Sequence, residues 1–93
     1  MKKYNDKEMI NLLKEKWPKL NLGLRSEFTG NEEDKGIWFK SSTIEVIIEG
    51  ETFWMPIVGD MYETYHQLEQ FLESYNWMSE PYDAETLMAY PNY

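Results

Sequence analysis

The stretch from Asp60 to Asn76 constrains the fold of this chain more than any other. Met61, Tyr65, Leu68, Leu72 and Tyr75 recur in steps of four and three, while Glu63, Gln67, Gln70, Glu73 and Ser74 fall on the other side. That period predicts an amphipathic helix over residues 60–76 with an acidic outer face. Asp60 and Glu63 stand at the spacing of an N-cap and the third helical residue, the arrangement that satisfies free amides at a helix start. A helix with one apolar stripe must bury it against another layer, so the remaining chain has to supply that layer.

Upstream, Asn5 and Glu8 repeat the capping spacing. Met9, Ile10, Leu13 and Trp17 then share one helical face before Pro18, which predicts a first helix within residues 1–17. Leu20, Leu22, Leu24, Ser26 and Phe28 alternate with Asn21, Gly23, Arg25 and Glu27, the period of a half-buried strand. A polar, glycine-bracketed loop over residues 29–36 leads to a second strand over residues 37–48, kinked or bulged near Ser41-Ser42. Glu49-Gly50-Glu51 reads as a tight hairpin turn. A third strand follows over residues 52–58, and its Pro56 cannot donate to a ladder, which points to a sheet edge. Residues 77–93 form an acidic, aromatic tail in which residues 83–90 can make a short helix before Pro91. The expected fold is therefore α+β, one small domain of order α-β-β-β-α with an optional last helix. Its three-stranded antiparallel sheet spans residues 20–58, with helices packed on it.

The chain has 93 residues, enough for one domain whose core depends on burying most of its aromatics. At 42% hydrophobic and 16% aromatic residues it is too rich in apolar side chains for disorder. Zero cysteines remove disulfides, thiolate metal sites and a cysteine nucleophile, and fit a reducing interior. No apolar run approaches the length of a membrane span, and no apolar run follows Met1 to Asn5 as in a signal peptide. The expectation is a soluble, cytoplasmic protein.

Chemistry-bearing constellations are sparse. His66 is the one histidine, with no nucleophile or second metal ligand patterned beside it. Asn31-Glu32-Glu33-Asp34 places four oxygen-bearing side chains in a row, whereas calcium loops alternate their ligands so that they converge. No phosphate-binding glycine motif and no metalloprotease motif occurs. Paired carboxylates for glycoside hydrolysis need a cleft that three strands scarcely provide. These readings predict a non-enzyme without metal or cofactor.

Charge is more informative. Residues 1–40 hold all nine bases against seven acids, a formal +2, and residues 41–93 hold ten acids and no base, a formal −10. Such a one-sided field attracts basic surfaces and repels nucleic acid and anionic membranes. Glu63, Glu69 and Glu73, about one helical turn apart, loosely imitate the phosphate row of a nucleic-acid strand. Trp54, Pro56 and Val58 point to one side of the third strand and Phe53, Met55 and Ile57 to the other, so both faces are apolar. Either the first helix or the tail covers the Trp54 face, or that face is an exposed patch for self-association or partner binding.

The element order, together with the acidic, aromatic stretch from Glu69 to Tyr90 (EQFLESYNWMSEPYDAETLMAY), resembles the small acidic phage anti-CRISPR proteins that block Cas9 at its PAM-reading cleft. That resemblance implies an inhibitor, encoded by a phage or mobile element, that mimics nucleic-acid charge. Double-stranded RNA-binding domains share the order α-β-β-β-α but present bases to phosphates, which the acidic half lacks. Read this way, Glu63, Glu69, Glu73, Glu80, Asp83 and Glu85 engage target bases, while Trp77, Tyr82, Tyr90 and Trp54 supply aromatic anchors. The expected partner is a protein with a basic nucleic-acid-binding surface, without direct nucleic-acid or membrane contact. An immunity protein against a basic nuclease toxin, and a homo-oligomeric (dimeric, for instance) structural or regulatory domain, are the alternatives.

Overall fold

The computed structural model describes residues 2–93. Three helices and six strands follow one another as α1 (Asp6–Lys16), β1 (Leu22–Leu24), α2 (Arg25–Thr29), β2 (Ile37–Phe39), β3 (Thr43–Ile48), β4 (Glu51–Pro56), α3 (His66–Ser74), β5 (Trp77–Pro81) and β6 (Leu87–Pro91). The strands form two antiparallel sheets, one ordered β1-β2-β6-β5 and the other the β3–β4 hairpin alone. The fold is thus α+β with antiparallel sheets, but the expected single three-stranded sheet is replaced by four strands plus two.

α1 forms as its sequence dictates. Asn5 accepts the Glu8 N–H at 2.8 Å, and Glu8 accepts the Asn5 N–H at 3.2 Å, closing the capping box. Met9 and Leu13 are buried, and Trp17 caps the C-terminus by donating its N–H to the Leu13 carbonyl at 2.8 Å. The strand expected over residues 20–28 stops at Leu24, and α2 begins. Leu24 and Phe28 are four apart as well as in step with a period of two, so alternation there was ambiguous. Gly30, at φ 76°, supplies the left-handed residue that ends α2. Phe28 then packs on the outer face of the sheet against Trp38 and Tyr82, with ring centroids 5.0 Å apart in each pair.

The expected kink at Ser41-Ser42 is where the chain leaves one sheet for the other. Leu22 pairs with Phe39 and Leu24 with Ile37 in the first sheet, while Thr43 to Ile48 pair with Pro56 to Glu51 in the second. Glu49 (φ 51°) and Gly50 (φ 83°) make the two-residue turn, whose two positive φ angles suit glycine and match the right-handed twist of the strands. Among the described residues β4 pairs with β3 alone, which makes it an edge strand throughout.

The largest departures lie downstream. The helix predicted over residues 60–76 forms over His66–Ser74, and residues 59–65 instead fold into a tight loop. Gly59 donates to the Glu63 carbonyl at 2.7 Å, Tyr62 donates to Gly59 at 3.0 Å, and Val58 and Thr64 form a bridge. Residues held that way cannot join a helix, so Asp60 caps nothing and Met61 is 78% exposed. Leu68 and Leu72 are buried as the period required. The tail carries no helix: β5 and β6 form a hairpin, and β6 inserts between β2 and β5. Leu87, Met88 and Ala89 are all buried, because a central strand is covered on both faces and reads as a continuous apolar run. Gly36 lies against this strand at φ 124°, where a Cβ would come within 2.4 Å of the Ala89 carbonyl oxygen.

One core joins these elements. Met9 and Leu13 of α1, Leu68 and Leu72 of α3, and Ile44 and Val46 of β3 meet Ile37, Phe39, Trp77, Leu87 and Ala89 from the four-stranded sheet. Trp77 is 1% exposed, and its indole N–H donates to the Tyr4 carbonyl at 3.1 Å, tying β5 to the N-terminal segment.

Candidate protein-binding surfaces

The loop over residues 59–65 builds one concave surface. Its base is Thr64, which is buried and whose hydroxyl lies 2.7 Å from that of Ser79 on β5. That contact and the Tyr65 N–H donated to Ile57 at 2.8 Å hold the loop against the sheet, and α3 starts immediately after it. The result is a groove of about 480 Å³ between the end of β4, the loop and Pro81, into which Glu63, Glu69, Tyr62 and Met55 face. Two predicted acids therefore share one groove with apolar neighbours. Glu73 lies exposed on α3 outside it.

Glu80, Tyr82 and Tyr90 gather on the outer face of the four-stranded sheet, beside α2. The Tyr90 hydroxyl donates to the Glu80 carboxylate, and this bond, with partial burial, raises the Tyr90 pKa above its ordinary value. Arg25 lies 5.2 Å from the centroid of the Tyr90 ring. A base from the first half of the chain is thus folded against the acidic half. Tyr90 and Glu80 are engaged with each other, while Tyr82 is 63% exposed at the edge of the cluster.

Asp83 and Glu85 occupy the turn between β5 and β6. The Asp83 carboxylate accepts the Glu85 N–H at 2.9 Å, which is the first cause holding its pKa below the usual value. Both side chains are exposed. Trp77 is corrected outright: the expected exposed anchor is the largest fully buried side chain of the core.

Trp54 is 53% exposed, so neither α1 nor the tail covers it fully. Lys19 lies 5.7 Å from the centroid of its ring and 3.0 Å from the Glu45 carboxylate. These groups, with Trp17, Leu20 and Ile47, line a second groove of about 300 Å³. Exposed Ile47, Ile48, Phe53 and Met55 continue the apolar surface over the hairpin.

Sequence reasoning missed Met61 and Tyr62 as a projecting pair, having assigned Met61 to a buried stripe. Gly59-Asp60 was the available signal, since glycine followed by aspartate marks a turn as well as a cap. Among the described residues no three His, Asp or Glu side chains converge in a way that could hold a metal ion, and no helix is long and apolar enough to cross a membrane. Comparison with protein-family models, with curated proteins and with solved structures finds no match.

Proposed function

We propose that this chain is a small acidic protein-binding inhibitor that occupies a basic nucleic-acid-binding surface of another protein by imitating nucleic-acid charge. One observation carries the reading. Of the ten acids after Lys40, Glu45 alone has a base within 4.0 Å among the described residues. The other nine carboxylates form no ion pair within 4.0 Å among the described residues, although Arg25 lies near Glu80, and their charge attracts Arg and Lys of a partner. Glu63 and Glu69 in the groove, flanked by Tyr62 and Met55, combine carboxylates with apolar contact, the pairing that concentrates binding energy. Asp83 and Glu85 beside exposed Tyr82 offer the same combination at the β5–β6 turn.

In its narrowest form, carried by the resemblance to anti-CRISPR proteins, the target is a CRISPR nuclease and the chain is encoded by a phage or mobile element. The test is affinity purification from host lysate at low salt with the wild-type chain and with the double variant Glu63→Lys/Glu69→Lys. The expected result is capture of a nucleic-acid-binding protein that added duplex DNA releases. The double variant captures at least about tenfold less, the effect of losing roughly 1.4 kcal/mol. Capture of no such protein, or equal capture by the variant, overturns the reading.

A further inference from the structure

The β3–β4 hairpin leaves an unusual edge. All six residues of β4 are exposed, and Phe53, Trp54 and Met55, with Ile47 and Ile48, present five large apolar side chains to water. Natural sheet edges are normally guarded by charged side chains (lysine above all), by proline, by a bulge or by a covering element. β4 carries its guards at its two ends, Glu51 and Pro56, with Lys19 over the Trp54 ring. Thr52 to Met55 between them bear no charge, and the pairing runs unbroken from Ile48↔Glu51 to Thr43↔Pro56.

The register identifies the free backbone groups. A two-residue turn makes Ile48 and Glu51 a hydrogen-bonded pair, so Val46 with Phe53 and Ile44 with Met55 follow. Ile57 donating to the Ser42 carbonyl at 2.9 Å continues the same parity. Thr52 and Trp54 therefore aim both their N–H and C=O groups away from β3. Pro56 is next in that outward series, and it has no N–H to leave unpaired.

We infer that this edge pairs antiparallel with the same edge of a second copy, about a two-fold axis at Phe53. Thr52 then faces Trp54 of the second copy, and Trp54 faces its Thr52, so every outward N–H and C=O of both residues is used. Phe53 stands opposite Phe53 in a non-hydrogen-bonded pair, where Cα atoms approach to about 4.5 Å and aromatic pairs interact well. Glu51 falls opposite Met55, so no carboxylate faces another, and the two acidic hairpin tips lie at opposite ends. Neighbouring registers are worse. An axis at Trp54 sets Thr52 against the donorless Pro56, and an axis at Thr52 sets Trp54 against Gly50 in the turn. The five apolar side chains expose on the order of 500 Å² per copy. Pairing brings Phe53, Trp54 and Met55 of both copies to the seam with Ile47 and Ile48 one strand behind, so the area it can bury is at most about the 1,000 Å² at which specific interfaces begin. The inference does not rest on the acidic target-binding reading and stands if that reading fails, although Met55 borders both surfaces.

The natural absence of cysteine makes the register directly testable. Sedimentation of the wild-type chain over a concentration series should give a species of twice the 11.2 kDa chain mass. Under mild oxidation Phe53→Cys should cross-link at least about tenfold faster than Glu51→Cys, whose partner cysteine lies four rows away, beyond disulfide reach. Phe53→Lys should raise the dimer dissociation constant at least about tenfold through like charges directly opposite, with an unchanged circular dichroism spectrum. A chain that stays monomeric at about 0.5 mM overturns the proposal. Equal cross-linking at positions 53 and 51 overturns the register.

Discussion

At the scale of single residues, the two tryptophans offered as anchors behave in opposite ways. Trp77 has no exposed surface to lend to a partner, and its indole N–H is already satisfied by Tyr4. Trp77→Ala opens a large cavity and removes one of the two donors to the Tyr4 carbonyl, which keeps the Tyr93 hydroxyl at 2.7 Å, at a cost of about 3–5 kcal/mol in a urea titration. Trp54→Ala removes a side chain that is half in water and should cost no more than about 1 kcal/mol, with the fold intact by circular dichroism. Nothing in the local sequence separates the two residues. Both sit in strands, and burial was settled by which strand came to lie over the core.

At the scale of elements, two apparent capping sites also diverge. Asn5 and Glu8 close a real box, and the Glu8 pKa is lowered first by its bond from the Asn5 backbone and then by Lys2. A carboxylate with a lowered folded-state pKa contributes stability above its ordinary pKa and loses it as pH falls through the folded value. Asn5→Ala removes the acceptor for the Glu8 N–H and should cost about 1 kcal/mol at pH 7 and pH 3 alike. Glu8→Ala, by contrast, should lower the unfolding temperature at pH 7 and lower it less at pH 3, where the carboxylate is largely protonated. Asp60→Ala should change stability by less than about 0.5 kcal/mol, because Asp60 lies exposed in a loop and caps no helix. The helical period at residues 61–75 was real only from Tyr65 onward. Two hydrogen bonds and a β-bridge at Gly59, Tyr62 and Thr64 competed successfully with the first helical turn, where nucleation is costly.

For the whole molecule, charge and apolar surface predict opposite responses to salt. Binding of a basic target through unpaired carboxylates should weaken as ionic strength rises from about 20 to about 150 mM, since the screening length shortens to about 8 Å. Association of two copies, each of net charge −8, should hold or strengthen over the same range, because screening reduces their mutual repulsion. Titration calorimetry for the target and sedimentation for the chain alone measure the two slopes separately. Parallel slopes would mean that one surface serves both contacts.

How much was legible in advance follows interaction range. Sequence alone was enough for α1 with its cap, the Glu49-Gly50 turn, the edge character that Pro56 signals and the asymmetry of charge. Each rests on neighbours within about four positions or on composition. Tertiary structure decided the rest. Residues 37–48 divide between two sheets because Ile37 and Phe39 pair with Ala89 and Leu87, some fifty positions away. The tail becomes a hairpin for the same reason, and Arg25 reaches Tyr90 only through that pairing. Long-range strand pairing has no local signature: its stabilisation comes from ladder bonds and burial that exist only once distant segments meet. That is why Trp77 emerged as core only in the folded chain, while Met61 and Tyr62 were turned outward by local bonds at Gly59 and Val58 that the helical period outweighed on paper.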